Sequence, residues 1–113
     1  MKNRLSSNQR LFERVEVRFP ARLKAPQASE ERDIVVKDFS PEGIKVLSYQ
    51  RLSLFDRLTL SLTPVEGSAS VPMDGYVVWT GKDSSDNWHA GIKFDQVDLM
   101  KANRIIEFCQ RSP

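Results

Sequence analysis

Two arginines near the N terminus have a spacing that suits binding of an anion or a base. Arg10 and Arg14 are four residues apart, which places two side chains on the same side of either a helical turn or an extended chain. Their guanidinium groups can then close together on a phosphate or a purine edge through paired hydrogen bonds. Arg18 and Arg22 continue the interval, but the pattern predicts that they form the solvated face of a strand.

A second polar group follows 24 residues after Arg14, in the segment Asp38-Phe39-Ser40-Pro41-Glu42-Gly43. At an extended strand end, Asp38 and Ser40 face the same way and offer a carboxylate and a hydroxyl. A carboxylate can accept the N1–H and N2–H of guanine while an arginine reads the O6/N7 edge. Gly43 suits a tight turn that favours a residue without Cβ. A strand-ending Asx or Ser turn would use the same residue types without any ligand, so this group alone leaves both interpretations open.

The residues needed for catalysis or metal binding are scarce. The chain has one histidine, His89, and one cysteine, Cys109, whereas zinc takes three or four protein ligands. A lone histidine in a predicted strand is typical of a packing or surface residue, and Cys109 falls on the apolar face of a predicted helix. No nucleophile elbow, Walker A or dinucleotide motif occurs. The sequence therefore favours a binding protein that is not an enzyme and needs no metal or cofactor.

Strands must position these residues. Apolar side chains alternate strictly with polar ones from Val15 to Lys24, which is the pattern of a half-buried strand with a charged outer face. Five further segments favour strands and are separated by polar or glycine-containing stretches. The first of these segments starts at Ile34 and runs into Asp38. The others are Ile44 to Tyr49 after Gly43, Leu58 to Thr63, a segment around Tyr76 to Trp79, and Trp88 to Phe94.

The C-terminal segment changes period. After Asp95, a candidate N-cap, Leu99, Ala102, Ile106 and Cys109 recur every three or four residues, which predicts a helix over about 96–110. Six short strands and one terminal helix predict an all-β fold, namely a six-stranded antiparallel β-barrel with a C-terminal α-helix.

Length and charge bound the organisation of the chain. Its 113 residues suit a single domain. We expect residues 1–9 to form a flexible arm and residues 10–113 to form the domain. The net charge is only +2, but residues 1–24 carry +5 and the remainder −3, so an anionic partner should meet the N-terminal end. The single cysteine and the short apolar stretches predict a cytoplasmic protein without a signal peptide or membrane span.

Together the two polar groups carry a resemblance. An R-x-x-x-R ahead of the first strand, followed by D-x-S-x-x-G between the second and third, resembles the signature of the PilZ domain family, whose members bind the bacterial second messenger cyclic di-GMP. The segments Gly75–Trp79 and Ala90–Phe94 resemble two later strands of that family. The resemblance extends from about Arg10 to the C-terminal helix and implies the same six-stranded barrel.

The resemblance also implies roles for individual residues. It assigns Arg10 and Arg14 to the phosphates and guanine edges of cyclic di-GMP, Asp38 and Ser40 to guanine, and Gly43 to the turn. Two further candidates stay open. Trp79 resembles an aromatic residue that stacks on ligand in some relatives, although a barrel tryptophan is more often in the core. Gln9 stands where many relatives carry an arginine, so either one ligand or a stacked pair fits.

The function implied is that of a bacterial cyclic di-GMP receptor that relays its signal to a partner protein, with outputs such as motility, biofilm or exopolysaccharide production. Two alternatives remain. One is a PilZ adaptor that works without the ligand. The other is a small basic barrel that binds single-stranded nucleic acid on exposed aromatic side chains, which the charged outer face of the first strand disfavours.

Overall fold

The computed structural model describes residues 12–26 and 29–111. The arm predicted for residues 1–9 and the candidate ligand residues Gln9 and Arg10 lie outside these described residues. Six strands and one helix form the fold: β1 Val15–Lys24, β2 Arg32–Ser40, β3 Gly43–Ser48, β4 Arg57–Leu62, β5 Val71–Lys82, β6 Trp88–Phe94 and α1 Leu99–Arg111.

The strands close into a barrel in the order β1-β2-β3-β6-β5-β4. Every neighbouring pair is antiparallel, and the second half of β1, from Ala21 to Lys24, pairs with β4 to complete the closure. The predicted fold class, a six-stranded antiparallel β-barrel with a C-terminal helix, is confirmed. Within the described ranges, no helix is long and apolar enough to span a membrane.

The core fills the inside of the barrel. In β1 the predicted alternation holds, because Phe19, Ala21 and Leu23 are buried and the residues between them, Pro20 and Arg22, are exposed. The rings of Phe39 on β2 and Phe94 on β6 meet with their centroids 5.9 Å apart. Since the apolar positions of each strand point inward, the alternate positions form the outer face of the barrel.

The C-terminal helix starts later than the sequence predicts. The backbone N–H of Lys101 donates to Oδ1 of Asp98 over 3.0 Å, so Asp98 caps the helix and not Asp95. Asp95 forms an ion pair with Arg57 instead. Leu99 is half-exposed, and the fully buried positions are Ala102 and Ile105.

Cys109 packs partly buried against the core, as its position on the apolar helix face predicts. Burial raises the pKa of its thiol, because desolvation disfavours the thiolate. A thiol with a raised pKa is a poor nucleophile at neutral pH.

Three ladders contain irregularities that turn side chains to new directions. They lie between Glu16 and Phe19 on β1, between Val36 and Asp38 on β2, and between Val77 and Trp79 on β5. Each lies next to a residue that is important for the site described below.

Gly43 is required by close packing and not by a turn conformation. It is the first residue of β3, and its φ is not positive; among the described glycines only Gly67 has a positive φ. A Cβ atom at position 43 would overlap the carbonyl oxygen of Ile92 and lie 3.1 Å from the Cα of Lys93. The expectation of a glycine-only turn is therefore wrong, because the constraint is the approach of the β6 backbone.

We expect Gly43→Ala to lower the free energy of unfolding by about 1–3 kcal/mol, since the clashing atoms are backbone atoms that cannot move independently. Urea unfolding measures the change. Gly81→Ala is the control, because a Cβ there would meet only the Trp79 ring at 3.9 Å. Equal stability of Gly43→Ala and Gly81→Ala would contradict the packing argument.

Candidate functional site

A cavity of about 660 Å³ lies on the outer face of the barrel, against β2, β3, β6 and β5. Its apolar walls include the side chains of Val78 and Trp79, and its floor includes Gly43 and Gly91. Three cationic and three anionic side chains line it: Arg14, Lys45 and Lys93, and Glu16, Asp38 and Glu42. The cavity therefore combines an aromatic wall with closely placed charges of both signs.

Strand register places the central part of this lining in one row. Asp38 pairs with Lys45 across β2 and β3, Lys45 pairs with Gly91 across β3 and β6, and Gly91 pairs with Trp79 across β6 and β5. Glu16 on β1 extends the row beside Asp38. Directly paired residues of antiparallel strands project on the same face, so a carboxylate, an ammonium and an indole meet along one line.

Arg14 and Asp38, which are far apart in sequence, form an ion pair at this cavity. Both Nε and one terminal nitrogen of Arg14 approach the same carboxylate oxygen, Oδ1 of Asp38, at 3.1 and 3.0 Å. The two side chains are only 25% and 20% exposed, so the pair is shielded more than an ordinary surface pair. The second oxygen of Asp38 makes no hydrogen bond to any residue in the described ranges.

Ser40 lies in a different environment from Asp38. Its side chain has no exposed surface, and its Oγ accepts a hydrogen bond from the backbone N–H of Glu42 over 3.1 Å. Asp38 pairs with Lys45 and Ser40 pairs with Gly43 in a regular part of the β2–β3 ladder, so both project to the same face, as expected. Ser40 is nevertheless covered and does not line the cavity. Ser40 fixes the two-residue turn that carries Glu42 to the cavity.

Trp79 is outside the core. The irregularity in the β5–β6 ladder leaves both Val78 and Trp79 facing outward, with 38% and 42% of their surfaces exposed. The indole lies over Gly91, where a Cβ would be 2.6 Å from its Cδ1 atom. Of the two positions left open by the sequence, core or cavity, the structure places Trp79 at the cavity wall.

His89 lies outside this cavity. Its Nε2 is 2.7 Å from Oδ2 of Asp83, whose other oxygen accepts the backbone N–H groups of Ser85 and Asn87. The hydrogen bond from His89, followed by the one from Asn87, lowers the pKa of Asp83 to about 2. The pair thus fixes the β5–β6 loop, and the described ranges contain no group of three metal-ligating side chains.

Comparison with known proteins identifies the family. The sequence model of the PilZ domain family matches residues 8–111, which is almost the entire chain. The chain belongs to the PilZ domain family. A comparison with curated protein sequences finds no match.

Solved structures of other proteins share the fold. The Bacillus subtilis inhibitor of motility MotI/DgrA superposes with a TM-score of 0.73 at 18% identity, over 98% of this chain and 56% of that one. The PilZ domain of Escherichia coli YcgR, solved with c-di-GMP, gives 0.71 at 11% identity over 91% and 90%. Borreliella burgdorferi PlzA, in complex with c-di-GMP, gives 0.65 at 20% identity over 93% and 43%. The chain thus spans about half the length of the Bacillus and Borreliella proteins.

Sequence reasoning did not single out Lys45, Lys93 or Glu42 at the cavity of this PilZ domain. Lys45 lies outside the motifs, and Lys93 lies within Ala90–Phe94 at a position that the resemblance leaves open. The pairing of β3 with β6 brings both to the site. Glu42 lies within the second motif at a position that the motif leaves open. These residues could therefore be found only from the strand register, which the sequence alone does not reveal.

We expect Gly91→Ala to displace the Trp79 indole, because the added Cβ would overlap three indole atoms. The tryptophan emission maximum should shift and the free energy of unfolding should fall by about 1–3 kcal/mol. Trp88→Phe as the background removes the other tryptophan of the chain, and Gly81→Ala in that background is the control. An unchanged emission spectrum in Gly91→Ala would contradict this placement of the indole.

Proposed function

We propose that this PilZ-domain protein is a receptor for cyclic di-GMP. The observation that carries the proposal is the pairing of Arg14 with Asp38 at the cavity, since it unites one residue from each of the two ligand motifs. The PilZ structures of YcgR and PlzA were solved with c-di-GMP, which supports the same ligand class for this chain.

The ion pair suits guanine recognition. Because Arg14 approaches only Oδ1, the remaining oxygen of Asp38 is available to the N1–H and N2–H donors of a guanine. The other terminal nitrogen of Arg14 remains for the O6/N7 edge or a phosphate oxygen. Arg10 is proposed as the second arginine of this contact, and Gln9 as its neighbour on the ligand.

The indole wall suits a flat base. Trp79 is fixed against Gly91 and faces the cavity with part of its ring exposed. Stacking of a base on an aromatic ring contributes about 1–3 kcal/mol. We propose that one guanine stacks on this wall, while Ser40 and Gly43 act through the turn and the strand packing that hold the cavity in shape.

We also propose that the signal passes to a partner protein through the surface around the cavity. A bound dianion changes the charge of a lining that contains equal numbers of cationic and anionic side chains. Such a change in charge and shape is what a partner can read.

Calorimetric titration of the protein with cyclic di-GMP tests the proposal, with a single-stranded oligonucleotide as the comparison ligand. Saturable binding of cyclic di-GMP without binding of the oligonucleotide is expected. Binding of the oligonucleotide alone would support the nucleic-acid alternative, and binding of neither would favour an adaptor that works without ligand.

We expect Arg14→Ala to weaken cyclic di-GMP binding by about 10- to 100-fold, because charge-assisted hydrogen bonds contribute about 1.5–3 kcal/mol. Arg18→Ala is the matched control, since Arg18 is exposed on β1 outside the cavity. Calorimetry on the two variants checks the difference. Equal weakening by both substitutions would indicate that a diffuse basic surface, and not the proposed site, binds the ligand.

We expect Asp38→Ala to reduce the preference for guanine as well as the affinity. Adenine lacks the N1–H and N2–H donors that the carboxylate would accept, so the wild type should bind cyclic di-GMP much more tightly than cyclic di-AMP. The variant should lose most of that preference. Asp33→Ala removes an exposed carboxylate of β2 that is paired with Arg22 of β1, and this variant should keep the preference. A full preference in Asp38→Ala would rule out the proposed guanine contact.

A further inference from the structure

The three cations of the cavity differ in their partners. Arg14 is neutralised locally by Asp38 at 3.0 Å. Lys45 and Lys93 line the same cavity, yet neither has a carboxylate within 4.0 Å among residues 12–26 and 29–111. Among the lining residues that the structure describes, the cations without a carboxylate partner are therefore the two lysines.

The two lysines occupy diagonal positions on the β3–β6 ladder. Lys45 lies opposite Gly91, and Lys93 lies opposite Gly43. Diagonal positions of an antiparallel pair are about 7–8 Å apart, and on this ladder a glycine faces each lysine. On the neighbouring ladders, Lys45 lies opposite Asp38 and Lys93 lies opposite Tyr76. The floor of the cavity thus has two lysines, and the glycines opposite them add no side chains to it.

Without these lysines, the described lining would carry more negative than positive side chains. Arg14 would then be the one cation among the described lining residues, against the carboxylates of Glu16, Asp38 and Glu42, and Arg10, proposed above as the second arginine, would not offset all three. Like charges at short range oppose binding, so a dianionic ligand in this part of the cavity requires further cations. Lys45 and Lys93 are the residues placed to supply them.

We infer that Lys45 and Lys93 bind the phosphate groups of the dinucleotide. The inference rests on the proposed function, because it assigns the phosphates of that ligand to side chains outside both motifs. In this assignment Arg14 and Asp38 read the base, and the lysines contribute the charge attraction. Because the lysines act as point charges, charge should matter more than shape.

The test is calorimetry with cyclic di-GMP at several salt concentrations, on the wild type and on Lys45→Gln, Lys93→Gln and the double variant. We expect each single variant to bind about fivefold more weakly, and the double variant about 25-fold more weakly. Salt screens exposed charges, so the affinity of the double variant should fall less steeply with salt. Lys45→Arg with Lys93→Arg keeps both charges and should bind within about twofold of the wild type.

Lys24→Gln is the matched control, because Lys24 is an exposed lysine at the end of β1 outside this cavity. Unchanged thermal unfolding of all variants would show that the lysines act on the ligand and not on the fold. If the wild type binds but the double variant matches it in affinity and salt dependence, or if Lys24→Gln weakens binding as much, the lysine inference is overturned and the receptor function stands. Failure of the wild type to bind would overturn both.

Discussion

The cross-strand register of β2, β3, β6 and β5 is the constraint on which the site depends. Side chains alternate between the two faces of a strand, so a slip of one residue would turn the whole row of the cavity into the core. The closed barrel prevents such a slip because each strand pairs with a neighbour along both edges and its apolar side chains are buried in the core. The cavity is thus a consequence of core packing on the opposite face.

The irregularities in the ladders adapt this regular frame to binding. Without the one at Val78, strict alternation would place Val77 and Trp79 on the same, inward face. The structure instead buries Val77 and exposes part of Trp79. Gly91 then leaves the space that the indole occupies. The site therefore combines a rigid wall with charged side chains from neighbouring strands, which limits the ordering required when a ligand binds.

Local patterns predicted the fold but not the details that depend on distant residues. The alternation from Val15 to Lys24 predicted the correct inward face of β1, and the motif resemblance singled out Arg14 and Asp38, which form an ion pair at the cavity. The cap at Asp98 was missed because Asp95, the expected cap, pairs with Arg57 of β4. The packing reason for Gly43 was missed because it depends on the β6 backbone, and the burial of Ser40 likewise depends on the tertiary structure around it. Lys45 and Lys93 illustrate the same limit, since only the pairing of β3 with β6 brings them to the cavity.

The central claim is that cyclic di-GMP binds along the row that runs from Asp38 to Trp79. Nuclear magnetic resonance of the ¹⁵N-labelled protein during titration with cyclic di-GMP tests it most directly. The account predicts that amide shifts change at Asp38, Lys45 and Gly91 and at the indole N–H of Trp79, while β4, on the side of the barrel away from the cavity, stays unchanged. Shifts confined to β4 or to the Asp83 loop, or no shifts at saturating ligand, would contradict it.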